Sequence, residues 1–277
     1  MDIKKIKNRI LSILKKLLNK SVIISFIVGV VVMFGAGYFY LFQYIPKNPC
    51  AGNNVGIVKL TGEINTAEDP EYLSVSAPDT IQQIKDMDSN PKIKAIILEV
   101  SSPGGVMEPS ARIMFAVQRT TKPVIAVIED VGLSGAYLVA SASERIFASR
   151  LSSVGSIGVT REFLDTSERD RREGVILYDF SSGPYKGAEK EHSALTEEQY
   201  DIVMEDIMKM HEIFVEYVAK NRNIPIDDVK LLATGRTFVG DDALKLGLID
   251  QIGGMEEALD WVRDNIVEEV DTCTVGE

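Results

Sequence analysis

Residues 129–148 read EDVGLSGAYLVASASERIFA, and how this stretch is parsed decides the fold. An apolar, β-branched run, Val124-Ile125-Ala126-Val127-Ile128, leads into it and has the character of a buried strand. Small and apolar residues at Ala136, Tyr137, Leu138, Val139 and Ala140 then predict a helix. Gly132 and Gly135 bracket Ser134, which places its hydroxyl on a tight strand-to-helix turn. A helix N-terminus offers unpaired backbone N–H groups and the positive end of a dipole, where a nucleophile or the oxyanion it creates is stabilised. The same serine also fits as a small packing residue or an N-cap. On this segment alone both readings stand.

Working outward, apolar strands alternate with helical runs. Val55–Leu60 and Ile93–Val100 read as strands, Pro78–Asp88 as a helix with Asp79 or Thr80 near its N-cap, and Met107–Arg119 as a second helix. Pro123–Glu129 is the next strand and Ser134–Ser143 the next helix, while the polar stretch Glu63–Ser76 reads as a loop. This alternation predicts an α/β domain with a mostly parallel sheet and flanking helices. In such sheets sites form beyond the carboxyl ends of strands, here the loops Ser101–Gly105 and Val131–Ser134. The C-terminal part is more helical. Thr196 caps a run to about Arg222 with an apolar stripe through Ile202, Ile207, Ile213, Phe214 and Val218. Pro225–Leu232, Gly240–Leu246 and Met255–Asn265 follow, and the acidic tail 268–277 is expected to be loose.

The N-terminus has a different character. Residues 1–20 carry seven Lys/Arg and one Asp, a local +6, which leaves −17 for the rest of a chain whose net charge is −11. Their apolar residues recur at helical spacing, the pattern of a basic cytoplasmic segment lying on an anionic membrane surface. Ser21–Ile45 then runs 25 residues without a charge, enough for a transmembrane helix across a core of about 30 Å, with Tyr38, Tyr40 and Tyr44 at its far end. The basic flank predicts a single-pass protein with a cytoplasmic N-terminus and an extracytoplasmic body at the cell membrane. A cleaved signal peptide would have a shorter apolar core, and Gly35-Ala36-Gly37 is only a weak cleavage site. Residues 46–54, with Pro49 and Gly52, read as a linker to a body over 55–267. An acidic body excludes a nucleic-acid partner, which requires a basic face. Cys50 and Cys273 lack metal-site spacing; an exported body would let them pair, a reduced one would keep them free.

Ser101-Ser102-Pro103-Gly104-Gly105 ends a strand with a Gly pair whose backbone N–H groups can point outward, the construction of an oxyanion hole. Pro-Gly pairs also make ordinary turns, and the P-loop spacing for phosphate is missing. A serine nucleophile needs a base. His211 falls within the long helix and reads as a face residue, and His192 lies in a polar loop. Lys186, in SSGPYKG after the expected strand Val175–Phe180, is the stronger candidate, because a buried lysine whose pKa falls toward 7–8 takes a serine proton. Ser-Lys pairs are a variant of the triad logic. By spacing alone Lys186 is one lysine among many.

The body resembles the membrane-anchored signal peptide peptidase A family of serine proteases, with its ClpP/crotonase-like fold, in a short form with one copy of the domain. The resemblance is carried by Ser102-Pro103-Gly104-Gly105, Ser134-Gly135-Ala136-Tyr137, Gly155-Ser156-Ile157-Gly158-Val159, Gly183-Pro184-Tyr185-Lys186 and the stretch Gly235–Asp250. It implies Ser134 as nucleophile, Lys186 as general base, Gly105 and Gly135 as backbone donors to the oxyanion, and Ser156 as the group orienting the lysine amine. It also implies a homo-oligomer with enclosed sites, acting on signal peptides or other extended membrane-associated peptides without metal or cofactor. Val131-Gly132-Leu133 departs from the family pattern and concerns the shape of the substrate pocket. Two other functions compete: a catalytically silent membrane scaffold on the same fold, and acyl-CoA chemistry, in which Lys186 would have no role.

Overall fold

The computed structural model describes residues 3–17, 20–44, 50, 52–67, 73–183, 185–187 and 190–275. They fall into two compact units, Met1–Asn48 and Pro49–Glu277. The expected linker residues 46–49 lie outside the described residues.

The first unit is two helices, α1 (Ile3–Leu17) and α2 (Lys20–Tyr44). Among the described residues, no helix is long and apolar enough to cross a membrane. The stretch expected to span over 21–45 coincides with the helix α2.

The second unit begins with β1 (Val55–Thr61), β2 (Glu63–Asn65), β3 (Ser74–Ser76), α3 (Ala77–Ser89), β4 (Ala95–Ser102) and α4 (Met107–Arg119). It continues through β5 (Val124–Leu133), α5 (Gly135–Ser141), β6 (Arg145–Ala148), β7 (Ser153–Gly155) and α6 (Ser167–Glu173). The last elements are α7 (Glu197–Arg222), α8 (Ile226–Leu232), β8 (Thr237–Val239), α9 (Gly240–Lys245), β9 (Gln251–Ile252), α10 (Met255–Asn265) and β10 (Thr272–Val275). The main sheet runs β10-β1-β4-β5-β6-β9, all parallel; β7 branches from the end of β5, also parallel, and β8 pairs antiparallel with β7.

This is the α/β architecture expected from the strand–helix alternation. The apolar runs are strands because both faces are covered, which rewards β-branched residues at every position. On one face Val58, Leu60, Ile96, Leu98, Ala126 and Ile128 pack with Ile84, Val117, Leu138 and Phe214 from α3, α4, α5 and α7. On the other, Val55, Ile57, Ala95, Ile97, Ile125 and Val127 pack with Ala258 and Val262 of α10. The two sets alternate along each strand, as a period of two requires.

Several expectations are corrected. Ser76, not Asp79 or Thr80, caps α3, its hydroxyl accepting from the Asp79 N–H at 3.4 Å. The polar stretch 63–76 contains the parallel pair β2–β3, Glu63 registering with Ser74. β5 does not stop at Glu129 but runs to Leu133, because Val131–Leu133 finds a partner in Ser153–Gly155. Val175–Phe180 is not a strand; no strand of the described residues lies beside it, and it stays exposed. The tail is not loose: β10 pairs with β1 from Val55↔Thr272 to Val58↔Val275. A disulfide joins Cys273 to Cys50, with Cα atoms 5.4 Å apart, so of the two options left open for these cysteines the structure has the pair.

Two contacts hold the site-bearing elements in place. The buried Tyr137 of α5 donates its hydroxyl to Leu248 O at 2.9 Å, and burial pushes its pKa up. Arg222, at the end of α7, donates to both Asp250 carboxylate oxygens and to Gly247 O, while Asp250 accepts the Ile146 N–H at 2.8 Å. The stretch Gly235–Asp250 is in this respect a bracket that ties α7 to β6.

Candidate active site

Ser134 sits where β5 ends and α5 begins, with φ 49° and ψ −123°. That conformation is sparsely populated for an L-residue with a Cβ and costs on the order of 1–3 kcal/mol. The surroundings impose it. The Ser134 N–H donates to Gly155 O at 2.8 Å and Ser134 O accepts from the Leu138 N–H at 2.9 Å. The side chain makes no cap bond to α5, so the serine is not there as an N-cap.

The loop 102–106 lies against this turn. Ser102, fully buried, accepts the Gly104 N–H on its hydroxyl at 3.1 Å. Gly104 has φ 102°, and a Cβ there would come within 2.8 Å of Gly135 N and Leu133 O. Only glycine permits so close an approach of two backbones. Gly104 O accepts the Ile64 N–H at 2.8 Å and Ile64 O accepts the Val106 N–H at 2.9 Å, which stitches the loop to β2. These bonds skip Gly105. Among the described residues neither the Gly105 nor the Gly135 N–H has a hydrogen-bond acceptor. The site of a Cβ on Gly135 lies 3.5 Å from Gly105 N, so the two donors are neighbours.

Both glycines and Ser134 open onto a cavity of about 920 Å³. Ser156 lines it too, at a second positive φ (51°), with its N–H donating to Arg236 O at 2.9 Å. The far wall comes from α7: Met204, Ile207, Met208, Met210 and His211. The expectation for His211 was a face residue of its helix; the face turns out to be a wall of this cavity. The methionines carried no motif and were not part of the expected apolar stripe; of the three, only Met204 and Met208 stand one helical turn apart.

Four of the five expected site residues thus share one cavity. Lys186 is not among the residues lining it. It is exposed, in a turn where its N–H donates to Gly183 O at 3.1 Å, and Pro184 of the same motif lies outside the described residues. The segment around it is tied down by polar contacts. His192 Nδ1 lies 2.6 Å from Asp170 Oδ2, Thr166 donates its hydroxyl to Glu191 O at 2.7 Å, and Lys190 pairs with Asp179 at 2.5 Å. The hydrogen bond with His192, followed by that from Thr166, holds the Asp170 carboxyl below the usual carboxylate range.

A strained serine and two unsatisfied main-chain donors thus stand at the carboxyl edge of a parallel sheet, where α/β proteins place their sites. Residues 116–267 match the profile of peptidase family S49, more than half of the chain, and the chain belongs to that family. A putative signal peptide peptidase SppA of Enterococcus faecium is 33% identical over 211 residues, 75% of this chain and 60% of the relative. The chloroplastic serine protease SPPA of Arabidopsis thaliana is 30% identical over 215 residues, 75% of this chain and 32% of that protein. The chain therefore spans about 60% or less of the length of these two relatives. Among solved structures, the membrane-bound stomatin-specific protease 1510-N, in mutant form, superposes with a TM-score of 0.51 at 15% identity, covering 81% of this chain and 98% of that one. That likeness concerns the fold alone, an α/β one with a mostly parallel sheet and flanking helices, as expected.

Proposed function

We propose that the chain is a membrane-anchored serine endopeptidase that cleaves signal peptides or other extended membrane-associated peptides. The observation that carries this reading is the strained Ser134 facing the cavity beside the N–H groups of Gly105 and Gly135. In the reaction the Ser134 hydroxyl attacks the peptide carbonyl carbon and its proton passes to a base. The carbonyl oxygen, now an oxyanion, is held by the two N–H donors, and collapse expels the amine, which takes the proton from the base. Water then repeats the sequence on the acyl-enzyme.

The base is Lys186, oriented by Ser156 and delivered by a second copy in a homo-oligomer. Two observations support delivery in trans. Lys186 is exposed and does not line its own chain's cavity. The segment before it leaves Val175, Ile176, Leu177, Tyr178 and Phe180 more than half exposed, an apolar surface a solitary chain would turn to water. A second reading makes His211 the base, because it lines the cavity that Ser134 opens onto. Anchoring by α2 is supported by its exposed Ile24, Phe26, Ile27, Val31 and Phe34, and an extracytoplasmic body by the Cys50–Cys273 disulfide, which forms in oxidising compartments.

The test is fluorophosphonate labelling with mass mapping, together with peptide hydrolysis, in wild type, Ser134→Ala, Lys186→Met and His211→Gln. Labelling at Ser134 that disappears in Ser134→Ala establishes the nucleophile. Loss of hydrolysis in Lys186→Met but not His211→Gln assigns the lysine, and the reverse assigns the histidine. Mixing Ser134→Ala with Lys186→Met should restore activity if the pair forms between copies. A folded wild type that neither labels nor cleaves leaves the scaffold reading.

A further inference from the structure

We infer that the end of the body formed by the C-terminal halves of α3 and α4 docks on an anionic lipid surface, with the groove between the two helices taking a headgroup phosphate. This rests on the anchored reading above. Residues 85–94 and 112–122 hold six Lys/Arg and two Asp, a local +4 within a stretch, 21–277, that sums to −17. The fold brings these charges together. Lys85 of α3 and Arg112 and Arg119 of α4, all exposed, line one groove of about 310 Å³, which Ile84, Phe115 and Ala116 also line.

One carboxylate shares the groove, and it is occupied: Asp88 Oδ1 accepts the N–H and the hydroxyl of Thr121 at 2.8 and 2.9 Å. Among the described residues Lys85 and Arg119 form no ion pair, and Arg112 has the exposed Glu108 at 3.9 Å. Lys122 and Lys94 extend the patch past the end of α3, and their amines have a structural use there. Lys122 donates to Met87 O at 2.6 Å and to Asn90 O, and Lys94 to Pro91 O at 2.8 Å. Burial holds the Lys122 amine below the usual lysine value. The three cations of the groove have no such use. An apolar lining under a cationic rim matches the membrane interface, where phosphates stand over the first methylenes of the acyl chains, and arginine binds phosphate through paired N–H groups. The chain also enters the body at this end, since Asn90 donates its side-chain amide to Cys50 O at 3.3 Å. An acidic body is repelled by an anionic leaflet in every orientation except the one that presents its basic end.

The experiment uses the full chain in nanodiscs of phosphatidylcholine, with or without about a third of phosphatidylglycerol, and reads lysine acetylation rates by mass mapping. Lys85, Lys92 and Lys94 are expected to react about threefold more slowly when phosphatidylglycerol is present, and the slowing to shrink in high salt. Lys230 of α8 and Lys245 of α9 should keep their rates. The slowing at Lys92 and Lys94 should be lost in Lys85→Gln/Arg112→Gln/Arg119→Gln and kept in Lys230→Gln/Lys245→Gln, each with the melting temperature of wild type. Equal rates in the two discs overturn the inference. So does slowing at all lysines alike, or slowing that survives the triple substitution. Inorganic phosphate slowing Lys85 equally in phosphatidylcholine discs would make the ligand free phosphate and end the lipid assignment. A chain that enters neither disc refutes the anchored reading, a separate result. Sedimentation with phosphatidylglycerol vesicles then decides the patch: wild type should bind more than the triple variant, and equal binding overturns the inference.

Discussion

Replacing Ser134 by glycine should stabilise the protein relative to alanine at the same position, while both variants are inactive. The reasoning starts from φ 49°, ψ −123°, a conformation that crowds any Cβ against the backbone. Strain of this kind is worth on the order of 1–3 kcal/mol. Among the described residues the Ser134 hydroxyl has no hydrogen-bond partner, so truncation to alanine removes the hydroxyl and leaves the strain. Glycine removes the strain as well but adds about 0.5–1 kcal/mol of chain entropy to be lost on folding. The difference favours Ser134→Gly over Ser134→Ala by about 1 kcal/mol. In a domain of this size that corresponds to a rise in Tm of roughly 2–4 °C. Differential scanning calorimetry on the two variants, with denaturant unfolding as a second measure, reads it directly. If Ser134→Gly unfolds at or below the temperature of Ser134→Ala, the turn is not strained, and its geometry cannot be a sign of selection for presenting the hydroxyl.

The disulfide and the segment after β7 give two further expectations. Breaking the bridge with Cys50→Ser/Cys273→Ser, or with reductant, should cost about 2–5 kcal/mol, because it closes a loop with a sequence separation of 223 residues. Hydrogen exchange should show β10 losing protection first, and equal stability with and without reductant would contradict this. Asp170 has a depressed folded pKa owing mainly to His192, so its contact contributes stability above the ordinary carboxylate pKa and loses it as pH falls through the depressed value. Segment 166–192 should accordingly exchange faster below about pH 4, after correction for the intrinsic rate, and Asp170→Asn should show the faster exchange already at neutral pH. A segment equally protected at both pH values in both proteins would show that the contact does not hold it.

Much of the fold was readable from local pattern. Met107–Arg119 and Met255–Asn265 form helices over the residues expected, and Thr196 caps α7 in a capping box with Gln199. These elements follow from side-chain periodicity and caps, which are properties of neighbouring residues. Val175–Phe180 failed for the opposite reason. Its β-branched and aromatic residues favour a strand, but a strand exists only where another supplies hydrogen bonds, and among the described residues nothing beside it does. The tail failed in the other direction, because an acidic composition gives no sign that β1 has an open edge for Thr272–Val275.

The sequence by itself determined the α/β class, the serine on its glycine-bracketed turn and the Gly-Gly loop, since each depends on residues close together along the chain. Tertiary structure alone decided that Ser102–Gly105 packs against the Ser134 turn, that α7 lends methionines and His211 to the cavity, that Cys50 meets Cys273, and that Lys186 stands outside its own chain's cavity. Those facts turn on which distant segments the sheet order brings together. A residue's helical or strand preference carries no information about that, because propensity is set within a few residues while juxtaposition is set by how the whole core closes.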